Sequence, residues 1–272
     1  MKKTTGKNRV ITDKFYTNSN VVDLCFSVLD NYQEEINKYK VIEPSAGSGS
    51  FLDRLSSYDF EAFDIEPAES KHKIVKQDFL QLDLNKYSKS LAFIGNPPFG
   101  RQSSIAKKFI KKISNCEKTN LIAFILPKSF KKESMQKCFN LYFSLDAEID
   151  LPDNSFTINN KIHDVPCIFQ VWIRCDKKRY IKPMEKPKSF TYVKKNENPD
   201  FSLRRVGVYA GNISVEIDNK SEQSHYFIKL NENISKSEFL EKYNMINFEH
   251  NNTVGPKSVS KKEFTSKINI VI

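Results

Sequence analysis

The feature that most constrains the fold is an alternation. Between residues 13 and 175, short apolar segments take turns with segments of helical periodicity, the pattern of a mostly parallel α/β sheet. The candidate strands are Lys40 to Glu43, Glu61 to Ile65, Lys73 to Val75, Leu91 to Gly95, Leu121 to Leu126, Ala147 to Leu151 and Val165 to Ile173. A helix is predicted after Ser19, where Val21, Val22, Leu24, Cys25, Val28 and Leu29 recur at helical spacing, with further helices over Ser50 to Ser57, Ile105 to Ile113 and Ser134 to Leu141. Helices between strands keep those strands parallel through right-handed crossovers. The last two strands have only a loop between them, which allows an antiparallel hairpin. Seven strands suit one doubly wound sheet.

The chain of 272 residues is 39% hydrophobic and 12% aromatic, enough apolar surface to order a sizeable core. Global disorder is excluded. The longest aliphatic or aromatic run, Leu121 to Leu126, is far short of the roughly 18–20 residues a bilayer span needs, so no membrane partner is expected. Met1 to Val10 is basic and polar with no apolar segment behind it, which predicts neither a secretory signal nor a myristoylated start and a cytoplasmic location. Five cysteines without a C-x-x-C pair read as buried free thiols of a reducing compartment. His163, Cys167 and Cys175 have the wrong spacing for zinc, and no metal is expected.

From about Asp176 a basic, proline-punctuated stretch (Lys177, Lys178, Arg179, Pro183, Pro187) reads as a boundary, separating residues 1–176 from a smaller α+β module at 177–272. In that module strands are predicted at Phe190 to Val193, Arg204 to Tyr209, Ile213 to Ile217 and His225 to Leu230. Two short helices follow, opened by Ser235 with Glu238 and Ser260 with Glu263.

The first constellation with chemical content is Val41-Ile42-Glu43-Pro44-Ser45-Ala46-Gly47-Ser48-Gly49-Ser50-Phe51, an apolar strand running into a small-residue loop. Gly47 and Gly49 permit a tight turn and close ligand approach, but Leu52 stands at the third glycine position of a dinucleotide fingerprint, and no Gly-Lys-Ser follows. A pyrophosphate ligand is disfavoured, and an adenosine ligand without phosphates is left. Asp64, ending the second strand, could accept both ribose hydroxyl protons; Asp78, after the third, could accept from an adenine amino group with Phe79 beside the ring. Ordinary strand-end capping is the competing use of both aspartates.

The second constellation, Asn96-Pro97-Pro98-Phe99-Gly100, directly follows the fourth strand. Pro97 and Pro98 remove two backbone donors and push the preceding residues out of the α region, so the loop is stiff and extended with exposed acceptors. The Asn96 side-chain oxygen and the Pro97 carbonyl can each accept one hydrogen of a planar exocyclic amine, and Phe99 can stack on the base that carries it.

With these residues the chain resembles the N6-adenine methyltransferases that use S-adenosylmethionine, over roughly residues 13–175. The resemblance implies a Rossmann-like class I methyltransferase fold. Phe15-Tyr16-Thr17 is similar to the family's N-terminal cofactor motif, Glu43 to Gly49 to its glycine loop, and Asn96 to Phe99 to its catalytic motif. Cofactor contacts are therefore expected from Phe15, Tyr16, Thr17, Glu43, Pro44, Ala46, Gly47, Gly49, Asp64, Asp78, Phe79 and Asn96. Asn96, Pro97, Pro98 and Phe99 are the expected catalytic set. Phe156, in Asn154-Ser155-Phe156-Thr157, looks like a second aromatic packing on a flipped adenine.

The order of glycine loop, catalytic motif and trailing module is similar to the gamma arrangement of DNA amino-methyltransferases, which favours DNA over RNA. The alternatives are an RNA adenosine N6-methyltransferase, a catalytically silent subunit of the same fold that binds nucleic acid or a partner enzyme, or a protein glutamine methyltransferase, against which Phe99 in place of Tyr and the net charge argue; a homodimer or partner subunit is left open.

A formal charge of +10 suggests a polyanionic partner. Basic residues flank the expected mouth: Arg101, Lys107, Lys108, Lys111 and Lys112, then Lys128, Lys131 and Lys132. Arg101 and Lys128 stand closest to the site. The lysines of the helix between them equally suit a solvated face. In the trailing module Arg204, Arg205, Lys257, Lys261 and Lys262 are interleaved with Tyr192, Tyr209 and Phe264, the mixture of a backbone-and-stacking surface, with the core as the alternative for Phe264.

Overall fold

The computed structural model describes residues 16–158, 161–163, 165–248 and 257–272. They form two compact units, residues 1–180 and 181–272 of the chain.

The first unit runs β1 (Tyr16–Thr17), α1 (Ser19–Leu29), α2 (Gln33–Ile36), β2 (Lys40–Glu43), α3 (Leu52–Leu55), β3 (Phe60–Asp64), β4 (Val75–Lys76), β5 (Leu91–Gly95), α4 (Ser104–Asn115), β6 (Thr119–Pro127), α5 (Glu133–Gln136), β7 (Phe143–Asp150), β8 (Phe156–Ile158), β9 (Lys161–His163) and β10 (Cys167–Arg174). Seven strands make one sheet in the order β4-β3-β2-β5-β6-β10-β7. Its pairings are parallel from β4 to β6, whereas β10 lies antiparallel to both β6 and β7. This is the Rossmann-like class I methyltransferase fold. Strand order reverses beside β2, so the crevice at the C-terminal ends of β2 and β5 is the topological switch point, where open α/β sheets bind ligands.

The sheet is buried on both faces. Every residue of β5 is buried, as expected of a central strand covered by helices on either side. On one face α1 contributes Val21, Val22, Cys25, Phe26 and Leu29, the period-3.6 stripe of its sequence. On the other, α4 contributes Ala106, Phe109, Ile110 and Ile113. A fully buried side chain of this size is worth about 1.5–3 kcal/mol, so these faces fix the strand ends that carry the loops. A separate antiparallel ribbon, β1-β8-β9, pairs Thr17 with Phe156.

Several predicted elements differ. The helix expected over Ser50 to Ser57 is the single turn Leu52–Leu55, and that over Ser134 to Leu141 is Glu133–Gln136. Between β4 and β5 the chain crosses on two 3-10 turns, capped by Asp78 and Asp83 through their side chains. β7 and β10 do pair antiparallel, but β8 and β9 intervene between them.

In the second unit β11 (Phe190–Val193), β12 (Phe201–Arg204), β13 (Ile213–Ser214) and β14 (His225–Leu230) form a sheet in the order β11-β14-β12-β13, followed by α6 (Lys236–Asn244) and α7 (Lys261–Val271). The strand predicted at Arg204 to Tyr209 lies earlier, at Phe201–Arg204, because Phe201 and Leu203 are the core-facing pair while Val208 and Tyr209 are exposed. Ser260 and Glu263 form a reciprocal capping box, and Ser235 caps α6 by accepting from the Glu238 amide. Phe264 lies in this unit's core.

Candidate active site

Two loops meet at the switch point, one after β2 and one after β5. The Ser45 hydroxyl donates to the Asn96 carbonyl at 3.2 Å, tying them together. The first loop is held from the neighbouring strand: Ala46 N–H donates to the Phe63 carbonyl, and Gly47 N–H donates to Asp64 Oδ2 at 2.8 Å. Gly47 and Gly49 have φ of +56° and +86°, so the turn uses the left-handed freedom anticipated for them. The Tyr16 ring lies beside Gly47. Pro44 and Ala46 are buried in the loop's inner wall.

Asp64 has a role in addition to the one expected. Its Oδ1 accepts from Glu66 N–H while Oδ2 accepts from Gly47 N–H, so both oxygens clamp backbone. The carboxylate therefore shapes the glycine loop. Asp78 caps a 3-10 turn by accepting from Leu80 N–H.

The second loop carries the sharpest chemistry. Asn96 Nδ2 donates to the Thr17 hydroxyl at 3.2 Å, and this leaves the amide oxygen Oδ1 buried without a hydrogen-bond partner. Four buried side-chain oxygens among the described residues lack a partner, and two of them stand at the ends of the adjacent strands β2 and β5: Glu43 Oε2 and Asn96 Oδ1. An unsatisfied buried acceptor costs about 1–3 kcal/mol, so each orphaned oxygen marks a place for a donor. Burial, with the Asp64 charge adding to it, pushes the Glu43 carboxyl up to about 8. The close approach that seats Glu43 depends on Gly95, where a Cβ would come within 3.0 Å of Glu43 Cγ.

Several expected contacts are corrected. Phe79 is 2% exposed and packs on Phe93 and Phe109, with ring centroids 5.8 and 5.0 Å away, so it is a core residue rather than an adenine neighbour. Phe156 is wholly buried in the core cluster that also holds Phe51, so it presents no face to a base. Phe99, at 8% exposure, belongs to the same cluster and is not an open stacking platform.

Lys128 is paired with Asp150 at 3.3 Å, and Lys131 with Glu148 and Asp150. Lys112 caps the Leu80 and Leu82 carbonyls. These lysines are committed to the protein, whereas Arg101 is exposed and has no ion pair among the described residues. Phe15 lies outside the described residues.

Sequence reasoning missed part of the site. Beside the glycine loop opens a cleft of about 440 Å³, lined by Thr17, Ser48, Gly49, Asp53, Ser70 and His72 among others. His72 Nε2 lies 2.5 Å from Asp53 Oδ1, and Ala68 N–H donates to the Gly47 carbonyl, which closes the segment after β3 onto the loop. Ile65 is 64% exposed immediately after Asp64, an apolar surface at the strand end. No motif announces Asp53, Ser70 or His72; their link to Thr17 and Gly49 is spatial. Among the described residues no group of His, Cys, Asp or Glu is arranged to hold a metal ion, and no helix is long and apolar enough to cross a membrane.

Residues 52–179 match the family model of the EDM2 methyltransferase-like domain. No curated protein sequence matches the chain. Solved structures similar to it include the 23S rRNA methyltransferase ErmE, at 12% identity and a TM-score of 0.43, covering 60% of this chain and 70% of that one. A putative RNA methyltransferase from Pyrococcus horikoshii aligns at 13% identity and a TM-score of 0.47, over 64% and 92% of the respective chains. A putative methyltransferase from Escherichia coli aligns at 14% identity and a TM-score of 0.40, over 61% and 91%. Residues 52–179 are thus similar to a methyltransferase-like domain.

Proposed function

We propose that the chain is an S-adenosylmethionine-dependent methyltransferase acting on the N6 amine of adenine in nucleic acid, with DNA the preferred polymer. The observation that carries this reading is the Asn96 amide: its nitrogen is engaged by Thr17, and its oxygen is buried without a partner at the head of a stiff Asn-Pro-Pro-Phe loop. Such an acceptor suits a planar amine.

The residues present fit an adenosyl-sulfonium cofactor. Glu43 and Asp64 stand at the ends of adjacent parallel strands with Asp78 two residues beyond the next, a set of acceptors suited to hydroxyls and amines, and the Glu43 Oε2 orphan awaits a donor. When bound, S-adenosylmethionine supplies an electrophilic methyl group on sulfur. Asn96 Oδ1 and the Pro97 carbonyl accept the two N6 hydrogens and hold the amine so that its lone pair faces that methyl. With S-adenosylmethionine bound, Asn96 Oδ1 and the Pro97 carbonyl would stabilise the positive charge that N6 gains on accepting the methyl group, and the surplus proton would leave to solvent. A base in a stack must leave it to reach them.

The test is transfer of a labelled methyl group from S-adenosylmethionine to matched duplex DNA, single-stranded DNA and RNA, followed by nucleoside mass analysis. N6-methyladenine in DNA is the expected product. N6-methyladenosine in RNA alone would replace the polymer, and methylation of none of them by cofactor-binding protein would overturn the enzymatic reading.

A further inference from the structure

We infer that the second unit carries a nucleic-acid contact surface centred on the turn at Val208 and Tyr209, where Tyr209 stacks on a base between phosphates held by Arg205 and Lys257. The inference rests on the reading of nucleic acid as substrate and adds where that polymer is gripped. Val208 is 78% and Tyr209 68% exposed, and they are adjacent in the chain. Isolated exposed apolar residues are common, but this pair sits on a turn fixed from several sides. Arg204 N–H donates to the Asn212 carbonyl and Gly211 N–H to the Arg204 carbonyl, closing the base of the turn. Ala210 N–H donates to the Gly207 carbonyl and Asn212 N–H to the Tyr209 carbonyl within it. Gly207 N–H donates to the Lys257 carbonyl, and a β-bridge joins Val206 to Ser258. A preorganised aromatic loses little entropy on binding.

The flanking charges are the second observation. Elsewhere in this unit Lys182, Lys220 and Lys236 are each paired with a carboxylate. Arg204, Arg205, Lys257 and Lys261 have no ion pair among the described residues. The Arg204, Arg205 and Lys261 head groups rest on aromatic or backbone groups. Arg205 lies 5.4 Å and Lys261 5.5 Å from the Tyr226 ring centroid, and Arg204 Nε donates to the Val206 carbonyl. Arg204 and Arg205 run into the turn and the Lys257 carbonyl accepts from Gly207 within it, so cations without an ion pair among the described residues flank the segment that carries an exposed tyrosine and match a strand of phosphates and bases: the charges take the backbone and the ring takes a base of any sequence. An acidic protein surface would engage the cations without needing the ring. Tyr192 is not part of the platform, because its hydroxyl is tied to Thr265 and to the Lys261 carbonyl.

The test is fluorescence anisotropy of the full chain with labelled single-stranded DNA, duplex DNA and RNA of one sequence, without cofactor. Wild type binds at least one polymer, more weakly as salt rises. Tyr209→Ala weakens that binding roughly tenfold while Tyr209→Phe stays within about twofold. Arg205→Ala and Lys257→Ala each reduce the salt slope by about 1. Wild type that binds no polymer, or Tyr209→Ala that binds as wild type does, overturns the inference; polyglutamate binding unaffected by Tyr209→Ala would then assign the surface to acidic protein. Methyl transfer measured in parallel separates the two readings. Tyr209-dependent binding without methylation removes the catalytic proposal and keeps the surface; methylation with an unchanged KM in Tyr209→Ala does the reverse.

Discussion

Thr17 and Asn96 lie 79 residues apart in sequence and meet through one hydrogen bond, Asn96 Nδ2 to Thr17 Oγ1 at 3.2 Å. That bond sets which end of the amide is spent on the protein and which is left to accept. Thr17→Val keeps the shape and removes the acceptor, so Asn96 is free to rotate. We expect kcat to fall about tenfold, the worth of about 1.4 kcal/mol, with cofactor affinity largely retained. Thr17→Ser should restore the rate, which a purely steric role would not require. Asn96→Ala should abolish transfer while cofactor still binds, measured by calorimetry beside the methylation assay; equal activity would remove Asn96 from its assigned role.

Glu43 makes stability depend on pH in a defined direction. Its carboxyl is raised from 4.5 to about 8, by burial first and the Asp64 charge second, so the folded protein holds this proton more tightly than the unfolded chain. The contribution is fully present below about 4.5 and is lost as pH rises through about 8. Glu43→Gln, neutral at every pH, should flatten that slope and be more stable than wild type on the alkaline side. The difference is on the order of a few kcal/mol, read as urea midpoints on either side of the window. A parallel pH dependence in both proteins would count against a buried, protonated Glu43.

Much of the frame was legible because burial on both faces writes itself into a strand as an unbroken apolar run. β2 and β5 coincide with their predicted bounds for this reason, whereas β11 and β14, only partly buried, coincide through their β-forming residues. Short crossovers were not legible. Where Leu80, Leu82 and Leu84 seal the sheet on 3-10 turns, local capping by Asp78 and Asp83 replaces helical periodicity.

The site divides the same way. Glycine loop and Asn-Pro-Pro-Phe are contiguous and could be read. The Thr17–Asn96 bond, the double use of Asp64 and the closure by Ala68 arise from chain segments brought together only by the fold. Phe79 and Phe156 show the converse error: an aromatic beside a motif looks the same in sequence whether it faces a ligand or the core.

Gly100 ends the catalytic loop at φ +66°, and a Cβ there would lie 2.5 Å from Ile105 Cγ1. The two residues that follow Arg101, Gln102 and Ser103, also sit at positive φ, so the loop already holds backbone strain of the kind found beside functional sites. Gly100→Ala adds a left-handed alanine and an overpacked contact. We expect a loss of about 2–4 kcal/mol in denaturant unfolding, with transfer falling as the Asn-Pro-Pro-Phe loop shifts. Unchanged stability would mean that Ile105 moves aside freely.

Arg179 lies past the boundary expected at residue 176, yet it is bolted to the first unit. Its guanidinium donates to the carbonyls of Gln136, Phe139, Asn140 and Phe143, and its plane lies 5.2 Å from the Trp172 ring centroid. Trp172 in turn stacks on Phe139 at 3.9 Å. The four carbonyls run from the last residue of α5 to the first of β7, across the span where the predicted helix is absent, so one side chain satisfies acceptors that the short α5 leaves without a helical partner. A lysine has one ammonium group in place of the planar fork and cannot reach all four. Arg179→Lys should therefore cost about 2–4 kcal/mol of stability. It should also speed hydrogen exchange of the amides between residues 136 and 143 before those of β5. Uniform protection in the variant would show that this segment is held by the Phe139–Trp172 stack alone.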